Sequence, residues 1–114
     1  MTDTKKESAK RPCVYMLRCK GGSLYTGWTN DFEKRLAAHQ SGKGAKYTRS
    51  HLPVEPVYLE YLPDKITATQ REAEIKKLTA EKKRKLVESE SNELCRRSGR
   101  LMNNSKPSTN EEQK

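Results

Sequence analysis

Apolar and aromatic residues are scarce in this chain of 114 residues. Only 32% of the residues are hydrophobic, against 34% that are charged, and the aromatic residues are five tyrosines, one tryptophan and one phenylalanine. A chain of this length and composition allows one compact domain with little buried apolar surface, and no run approaches the roughly 18 consecutive apolar residues that a membrane helix needs. The first ten residues also lack the apolar segment of a secretory signal. We therefore expect a cytoplasmic protein without membrane contacts.

Cysteine is also too rare to organise the fold. The three cysteines, Cys13, Cys19 and Cys95, are odd in number and show no CxxC spacing, and the chain has two histidines, His39 and His51. This pattern argues against both a disulfide framework and a structural zinc site.

Acidic residues are outnumbered, with 15 Asp and Glu against 24 Lys and Arg, which gives a net charge of +9. An excess of this size favours a polyanionic partner, of which nucleic acid is the leading candidate. A chain that is rich in lysine for solubility would show the same excess, so charge alone leaves both interpretations open.

The aromatic residues mark the limits of the domain, because all of them fall between residues 11 and 88. This segment holds 16 basic and nine acidic residues, so it carries +7 of the net charge. Residues 1–10 and 89–114 bury too little apolar surface to offset their ordering entropy. We therefore predict a domain over 11–88, with a disordered lead and a disordered tail.

Local patterns predict three strands and three helices. Two runs of strand-forming residues, 13–19 and 24–29, flank a glycine turn and predict a hairpin. Asn30 and Glu33 form a capping-box pattern before a helix that ends near Ser41 and Gly42. A loop, a strand and two helices follow, over 43–56, 57–62, 67–78 and 79–87. The expected fold is a small α/β domain of order ββαβαα, in which helices flank a three-stranded, mainly antiparallel sheet.

Several polar residues occupy positions that suggest a site. Glu72 shares a helical stripe with Ala68 and Ile75, where a carboxylate needs either an ion-pair partner, Lys76 or Arg71, or a bound cation. Tyr15 and Tyr25 share one face of the sheet if the hairpin register is centred on residue 21, although ordinary packing would also explain two strand tyrosines.

Arg35 and His39 lie four residues apart and so share one face of the first predicted helix. Taken by itself, this pair is better explained by a solvated helix edge. The interpretation as a site depends on these residues occurring together with the two tyrosines and Glu72.

Five sequence elements, in order and spacing, resemble the GIY-YIG (URI) nuclease superfamily, particularly its small stand-alone bacterial members. They are Cys13-Val14-Tyr15, Tyr25-Thr26-Gly27, Arg35 within DFEKRLAAH, the segment SGKGAKYT, and REAEIKKL around Glu72. Two residues depart from the family pattern, since Cys13 replaces the glycine of the first motif and Thr26 replaces the isoleucine of the second.

The resemblance implies hydrolysis of DNA phosphodiester bonds with one divalent ion, Mg²⁺ or Mn²⁺, held by Glu72. In this scheme Arg35 neutralises the developing phosphate charge, and Tyr15 activates water while Tyr25 assists it or orients the phosphate. A phenol titrates near 10, so Tyr15 needs either a lowered pKa or a brief proton transfer. His39 holds a phosphate or relays a proton.

Basic residues around a tyrosine are the predicted DNA contacts: Lys43, Lys46, Tyr47 and Arg49. A second basic run, whose alternative is a solvated face, comprises Lys76, Lys77, Lys82, Lys83, Arg84 and Lys85. No base-reading module is recognisable, so we expect weak sequence preference and no small-molecule cofactor. The alternatives are a catalytically silent nucleic-acid-binding module and an accessory protein of a DNA repair assembly, and protein partners stay open.

Overall fold

The chain forms one three-stranded sheet with helices on both faces. A computed structural model describes residues 11–94; the predicted lead 1–10 and residues 95–114 of the predicted tail lie outside this range. The elements follow in the order β1 (Cys13–Arg18), β2 (Leu24–Thr29), α1 (Phe32–Gln40), α2 (Lys46–Arg49), β3 (Glu55–Tyr61), α3 (Lys65–Lys76) and α4 (Ala80–Val87). The predicted α/β class with an antiparallel sheet is confirmed. None of these helices is long and apolar enough to cross a membrane.

Strand β1 is the centre of the sheet, and it pairs antiparallel with β2 on one side and β3 on the other. In the hairpin Tyr15 lies opposite Gly27 and Leu17 opposite Tyr25. This is the register centred on residue 21, where Gly21 and Gly22 adopt positive φ and allow the tight turn. The prediction that Tyr15 and Tyr25 share a sheet face is confirmed.

The two faces of β1 belong to two different cores. Cys13, Tyr15 and Leu17 pack in a cluster that includes Phe32 of α1. The alternate residues of β1, Val14 and Met16, face the other side and pack in a second cluster with α3 and α4. The buried residues of this cluster are Val14, Met16, Tyr58 and Ile75. Successive side chains of a strand point to opposite faces. The sheet therefore separates the side chains that pack against α1 from those that pack against α3.

Cys13 occupies the position of the motif glycine without breaking the strand. It is fully buried and lies opposite Thr29 in β2 and Tyr61 in β3. The one register shift between β1 and β3 falls between Met16 and Leu17. The cysteine therefore acts as a core residue in a regular part of the ladder.

The capping residues differ from those predicted. Asp31, not Asn30, caps α1, and its side chain accepts a hydrogen bond from the backbone N–H of Lys34. An aspartate one position further along fits this role, since its charge also interacts favourably with the helix dipole. Helix α3 begins at residue 65 rather than 67, because Asp64 and Thr67 form a reciprocal capping box.

The segment predicted as a loop over 43–56 is partly regular. It contains α2, a single helical turn, and the start of β3, which begins at Glu55 rather than Val57. Gly44, Pro53, Pro56 and the basic side chains of this segment are typical of a loop. Proline is tolerated here because β3 lies at the edge of the sheet among the described residues.

The predicted tail overlaps six described residues, and one of them is firmly held. Asn92 is 1% exposed, and its amide donates to the carbonyls of Val57 and Val87 while accepting from the N–H of Leu59. The segment after α4 is therefore attached to β3. The boundary predicted at residue 88 falls before these residues, because the contacts of Asn92 are polar and Leu94, which packs against the core, is a single apolar residue in a polar segment.

We predict that Asn92→Ala lowers the free energy of unfolding by about 3 kcal/mol, because four backbone groups lose a hydrogen bond to its side chain. Urea denaturation of the full chain measures this loss. The exposed Asn30 offers a matched control, and Asn30→Ala should change stability by less than about 0.5 kcal/mol. Similar losses for the two variants would contradict a pinning role for Asn92.

The hydroxyl of Thr26, the residue that replaces the motif isoleucine, is a buried polar atom without a hydrogen-bond partner within residues 11–94. Thr26→Val keeps the shape and removes this group, so it should raise the free energy of unfolding by about 1 kcal/mol. The same change at Thr29, whose hydroxyl accepts from the N–H of Asp31, should lower it. Two effects of the same sign in urea denaturation would refute this account.

Candidate active site

Tyr15 lies at the centre of the α1 face of the sheet. It is 1% exposed, and its ring centroid lies 5.9 Å from that of Phe32 and 6.4 Å from that of Tyr25. Its cross-strand partner is Gly27, the glycine of the second motif. A Cβ at this position would lie 2.6 Å from the Tyr15 hydroxyl oxygen, which explains why a glycine is needed. The tyrosine hydroxyl therefore occupies space that only a glycine leaves open.

His39 is the direct partner of Tyr15. Helix α1 directs the imidazole towards the sheet, where Nε2 is hydrogen-bonded to the Tyr15 hydroxyl at 2.8 Å. The other ring nitrogen, Nδ1, is hydrogen-bonded to the hydroxyl of Thr48 in α2, also at 2.8 Å. His39 and Thr48 are both fully buried. A continuous polar chain thus crosses the core from β1 to α2.

Arg35 lies one turn before His39 on α1, as the four-residue spacing predicts, and its positive charge acts on both partners of the Tyr15–His39 pair. Burial raises the pKa of Tyr15 to about 12, although the neighbouring guanidinium of Arg35 opposes that shift. Burial lowers the pKa of His39 to about 4, and here Arg35 adds to the shift. At neutral pH both side chains are therefore uncharged.

The raised pKa of Tyr15 bears on the two ways in which it could activate water. Burial disfavours a phenolate at rest, so it does not support the alternative of a lowered pKa. A transfer of the proton during the reaction is compatible with the structure. His39 Nε2 lies within hydrogen-bond distance of the proton that would have to leave.

Tyr25 connects the buried pair to the protein surface. Its ring lies 5.3 Å from His39 on one side and 6.3 Å from the roughly parallel ring of Tyr47 on the other. Tyr47 in turn stacks on His51 with centroids 4.0 Å apart, and its hydroxyl is hydrogen-bonded to Ser23 in the hairpin turn. Since Tyr47 is 41% exposed, the aromatic contacts extend from the core to solvent.

The predicted basic contacts surround this surface. Lys43 follows α1, while Lys46 and Arg49 lie on α2, and all three side chains are exposed. Their charges are therefore near Thr48 and Tyr47 along the chain and available to a ligand. The second predicted basic run lies on α3, α4 and the connection between them, the helices of the opposite sheet face.

Glu72 takes no part in the hydrogen-bonded chain of Tyr15, His39 and Thr48. It lies on α3, whose buried residues Ala68 and Ile75 face the sheet from the other side. Its side chain is 20% exposed and pairs with Lys76 at 3.3 Å. Of the alternatives for this carboxylate, the structure thus contains the ion pair with Lys76, whereas Arg71 pairs with Glu60 and Glu74.

Few side chains within residues 11–94 lie together as donors for a divalent ion. No group of three or more His, Cys, Asp or Glu side chains that could hold a metal occurs within residues 11–94. Mg²⁺ does not require such a group, because it keeps most of its water and binds one or two carboxylates together with substrate phosphate. A partly exposed carboxylate such as Glu72 fits that mode of binding.

Two residues that local sequence does not assign to the site, Thr48 and Gly44, lie against the imidazole of His39. Thr48 completes the hydrogen bonds of His39, and Gly44 lies so close to the imidazole that any Cβ would overlap Nδ1 and approach the backbone of His39 to 2.9 Å. Both belong to the segment SGKGAKYT, one of the five elements that resemble the nuclease superfamily. A threonine and two glycines within a basic stretch are the sequence feature that points to a role for them in the site.

The match to the family model for the GIY-YIG catalytic domain covers residues 11–85, and the chain belongs to the GIY-YIG family. The resemblance seen in the motifs is thereby confirmed. This domain implies nuclease-type activity and a nucleic-acid substrate.

Within the family, its relatives are UPF0213 proteins. The chain is 55% identical to one from Clostridium perfringens over 78 residues, which cover 68% of this chain and 84% of the relative. A relative from Natronomonas pharaonis is 51% identical over 77 residues and is covered to 91%. The solution NMR structure of a Bacillus halodurans UPF0213 protein is 44% identical, with coverage of 71% of this chain and 86% of that chain, and superposes with a TM-score of 0.48.

The buried, neutral His39 should make stability depend on pH. Because its pKa in the folded state is about 4, below the ordinary 6.5, the unfolded chain takes up the proton first. The stabilisation is complete above pH 6.5 and is lost as the pH falls towards 4. The loss amounts to about 3 kcal/mol at pH 4.

We expect the difference in unfolding free energy between pH 7 and pH 4 to be smaller in His39→Gln than in the wild type by about that amount. Urea denaturation at the two pH values measures it. His51→Gln changes the other histidine and should keep the wild-type difference. A His39→Gln variant with the wild-type difference would show that His39 is not the group responsible.

Proposed function

We propose that this protein is an endonuclease that hydrolyses DNA phosphodiester bonds with one divalent metal ion and weak sequence preference. One observation carries this proposal: the buried hydrogen bond between Tyr15 and His39, with Arg35 beside it and an exposed basic turn next to it. A tyrosine that only packs could use any buried acceptor, such as a backbone carbonyl, and would not need a cation beside it. The arrangement provides a proton acceptor and a cation at one place.

Tyr15 and His39 activate the attacking water in this mechanism. Tyr15 is neutral at rest, so it can take the proton of water only as its own proton leaves. His39 Nε2, 2.8 Å away, receives that proton. The water oxygen then attacks phosphorus while the bond to the leaving oxygen breaks, and the leaving alkoxide is protonated from solvent.

Arg35 and Tyr25 act on the phosphate. The guanidinium of Arg35 neutralises charge that develops on the phosphate oxygens, for which its forked donors are suited. Tyr25 is half-buried and lies between the buried pair and the exposed Tyr47. From this position it orients the phosphate against Tyr15.

Glu72 is the residue that we assign to hold Mg²⁺ or Mn²⁺. When bound, the ion would polarise the phosphoryl group and stabilise the leaving oxygen. Two observations support the assignment: α3 packs against β2, the strand that carries Tyr25, and the ion pair of Glu72 with Lys76 is an i,i+4 surface pair, which costs little to break.

The basic turn α2 and its neighbours bind the DNA backbone. Lys43, Lys46 and Arg49 contact phosphates, and Tyr47 offers an exposed aromatic edge between them. Phosphate contacts fix the position of a strand but carry no sequence information. Weak sequence preference follows from a site built in this way.

Purified full-length protein should nick plasmid DNA or cut single-stranded DNA with Mg²⁺ or Mn²⁺, and chelation should stop the reaction. Glu72→Ala should reduce cutting by at least about 100-fold while it leaves the thermal unfolding curve intact. Glu81→Ala is the matched control, because it removes a similar i,i+4 ion pair on α4, with Lys85. Equal cutting by wild type and Glu72→Ala would refute the assignment and point to a contaminating nuclease.

A catalytically silent nucleic-acid-binding module, acting alone or in a DNA repair assembly, is the second candidate. It is favoured by the burial of Tyr15, which is 1% exposed, and by the pairing of Glu72 with Lys76. This candidate predicts binding that weakens with salt and no cleavage with either ion. The cleavage assay above separates the two candidates.

A further inference from the structure

The hydrogen bonds around His39 have a direction that can be derived from the donors and acceptors at their ends. At one end Arg35, which has donors but no acceptor, lies beside the Tyr15 hydroxyl. The hydroxyl proton of Tyr15 therefore cannot point to Arg35. His39 Nε2, at 2.8 Å, is its acceptor, so Nε2 carries no proton.

The other end of the chain agrees with this direction. The hydroxyl of Thr48 donates to the backbone carbonyl of Ala45 at 3.0 Å, and a carbonyl can only accept. A hydroxyl has a single proton, so the Thr48 oxygen turns a lone pair towards His39 Nδ1, which lies at 2.8 Å. The proton of a neutral imidazole is consequently on Nδ1.

Packing prevents the ring from escaping this arrangement. Tyr15, His39 and Thr48 are at most 1% exposed, so water cannot replace a lost partner. Gly44 lies against the imidazole, where any side chain would collide with it. Rotation of the ring would leave buried polar atoms unpaired.

We propose that Thr48 is a positioning residue that holds His39 in the tautomer protonated on Nδ1, so that Nε2 stays available for the proton of Tyr15. The catalytic part of this inference rests on the proposed function, whereas the tautomer itself does not. In the reaction, Nε2 takes the Tyr15 proton and the imidazolium then carries protons on both nitrogens. The Thr48 oxygen keeps the Nδ1 proton in place throughout. Afterwards Tyr15 releases the proton that it took from water to solvent as Nε2 returns its own proton to Tyr15.

Nitrogen NMR tests the tautomer without reference to activity. Two-bond ¹H–¹⁵N correlation spectra of the labelled full chain at pH 7 distinguish the two neutral tautomers of each histidine. The chain has only His39 and His51, so His51→Gln assigns the signals. We expect His39 to be protonated on Nδ1, and protonation on Nε2 in the wild type would overturn the proposal even if no variant folded.

Two variants test the role of Thr48. Thr48→Val keeps the shape but offers no acceptor, so His39 should shift towards the Nε2-protonated form, whereas Thr48→Ser should keep the wild-type tautomer. An unchanged tautomer in folded Thr48→Val would overturn the role assigned to Thr48.

The same variants test the catalytic consequence. If the wild type cuts DNA, Thr48→Val should lower kcat by about 10- to 100-fold with little change in KM, and Thr48→Ser should restore it. A wild-type kcat in a Thr48→Val protein with an altered tautomer would overturn the catalytic part alone. A wild type without cleavage but with the Nδ1-protonated His39 would refute the proposed function and leave the tautomer assignment standing.

Discussion

The hydrogen bond between Tyr15 and His39 forms where water is excluded, and this constraint determines the structure around it. A buried hydroxyl and a buried imidazole must find all their partners within the protein, because an unpaired polar atom in the core costs about 1–3 kcal/mol. Thr48 supplies the remaining partner of the imidazole. Gly27 and Gly44 supply the space, one under the phenol and the other against the imidazole.

Those parts of the site that follow a local rule could be derived from the sequence. The glycine turn centred on residue 21 placed Tyr15 and Tyr25 on one face, and the four-residue spacing of Arg35 and His39 placed both on one side of α1. Helix α2 could not be derived in this way, because a single turn has no periodicity. Its residue Thr48 meets a histidine nine positions away. The direction in which the pKa of Tyr15 shifts likewise depends on burial, which local sequence does not show.

The residues assigned to the reaction lie on both faces of the sheet. Tyr15 and His39, which are assigned to proton transfer, lie on the α1 face, whereas Glu72 belongs to α3 on the opposite face. Strand β2 lies at the edge of the sheet and contacts α3, and it carries both Tyr25 and Gly27. Under the proposed function, a phosphate that meets the residues of both faces would therefore lie across the edge formed by β2. The motif tyrosine and glycine of that strand would then be next to the scissile bond.

The amide of Asn92 has a consequence beyond the domain boundary. It donates to Val57 and accepts from Leu59, the two groups that a neighbouring strand would otherwise use at the outer side of β3. Open strand edges are the places where sheets of separate molecules join and aggregate. A single side chain thus occupies two of the backbone groups through which a fourth strand would pair, and it makes this part of β3 less available for edge-to-edge association.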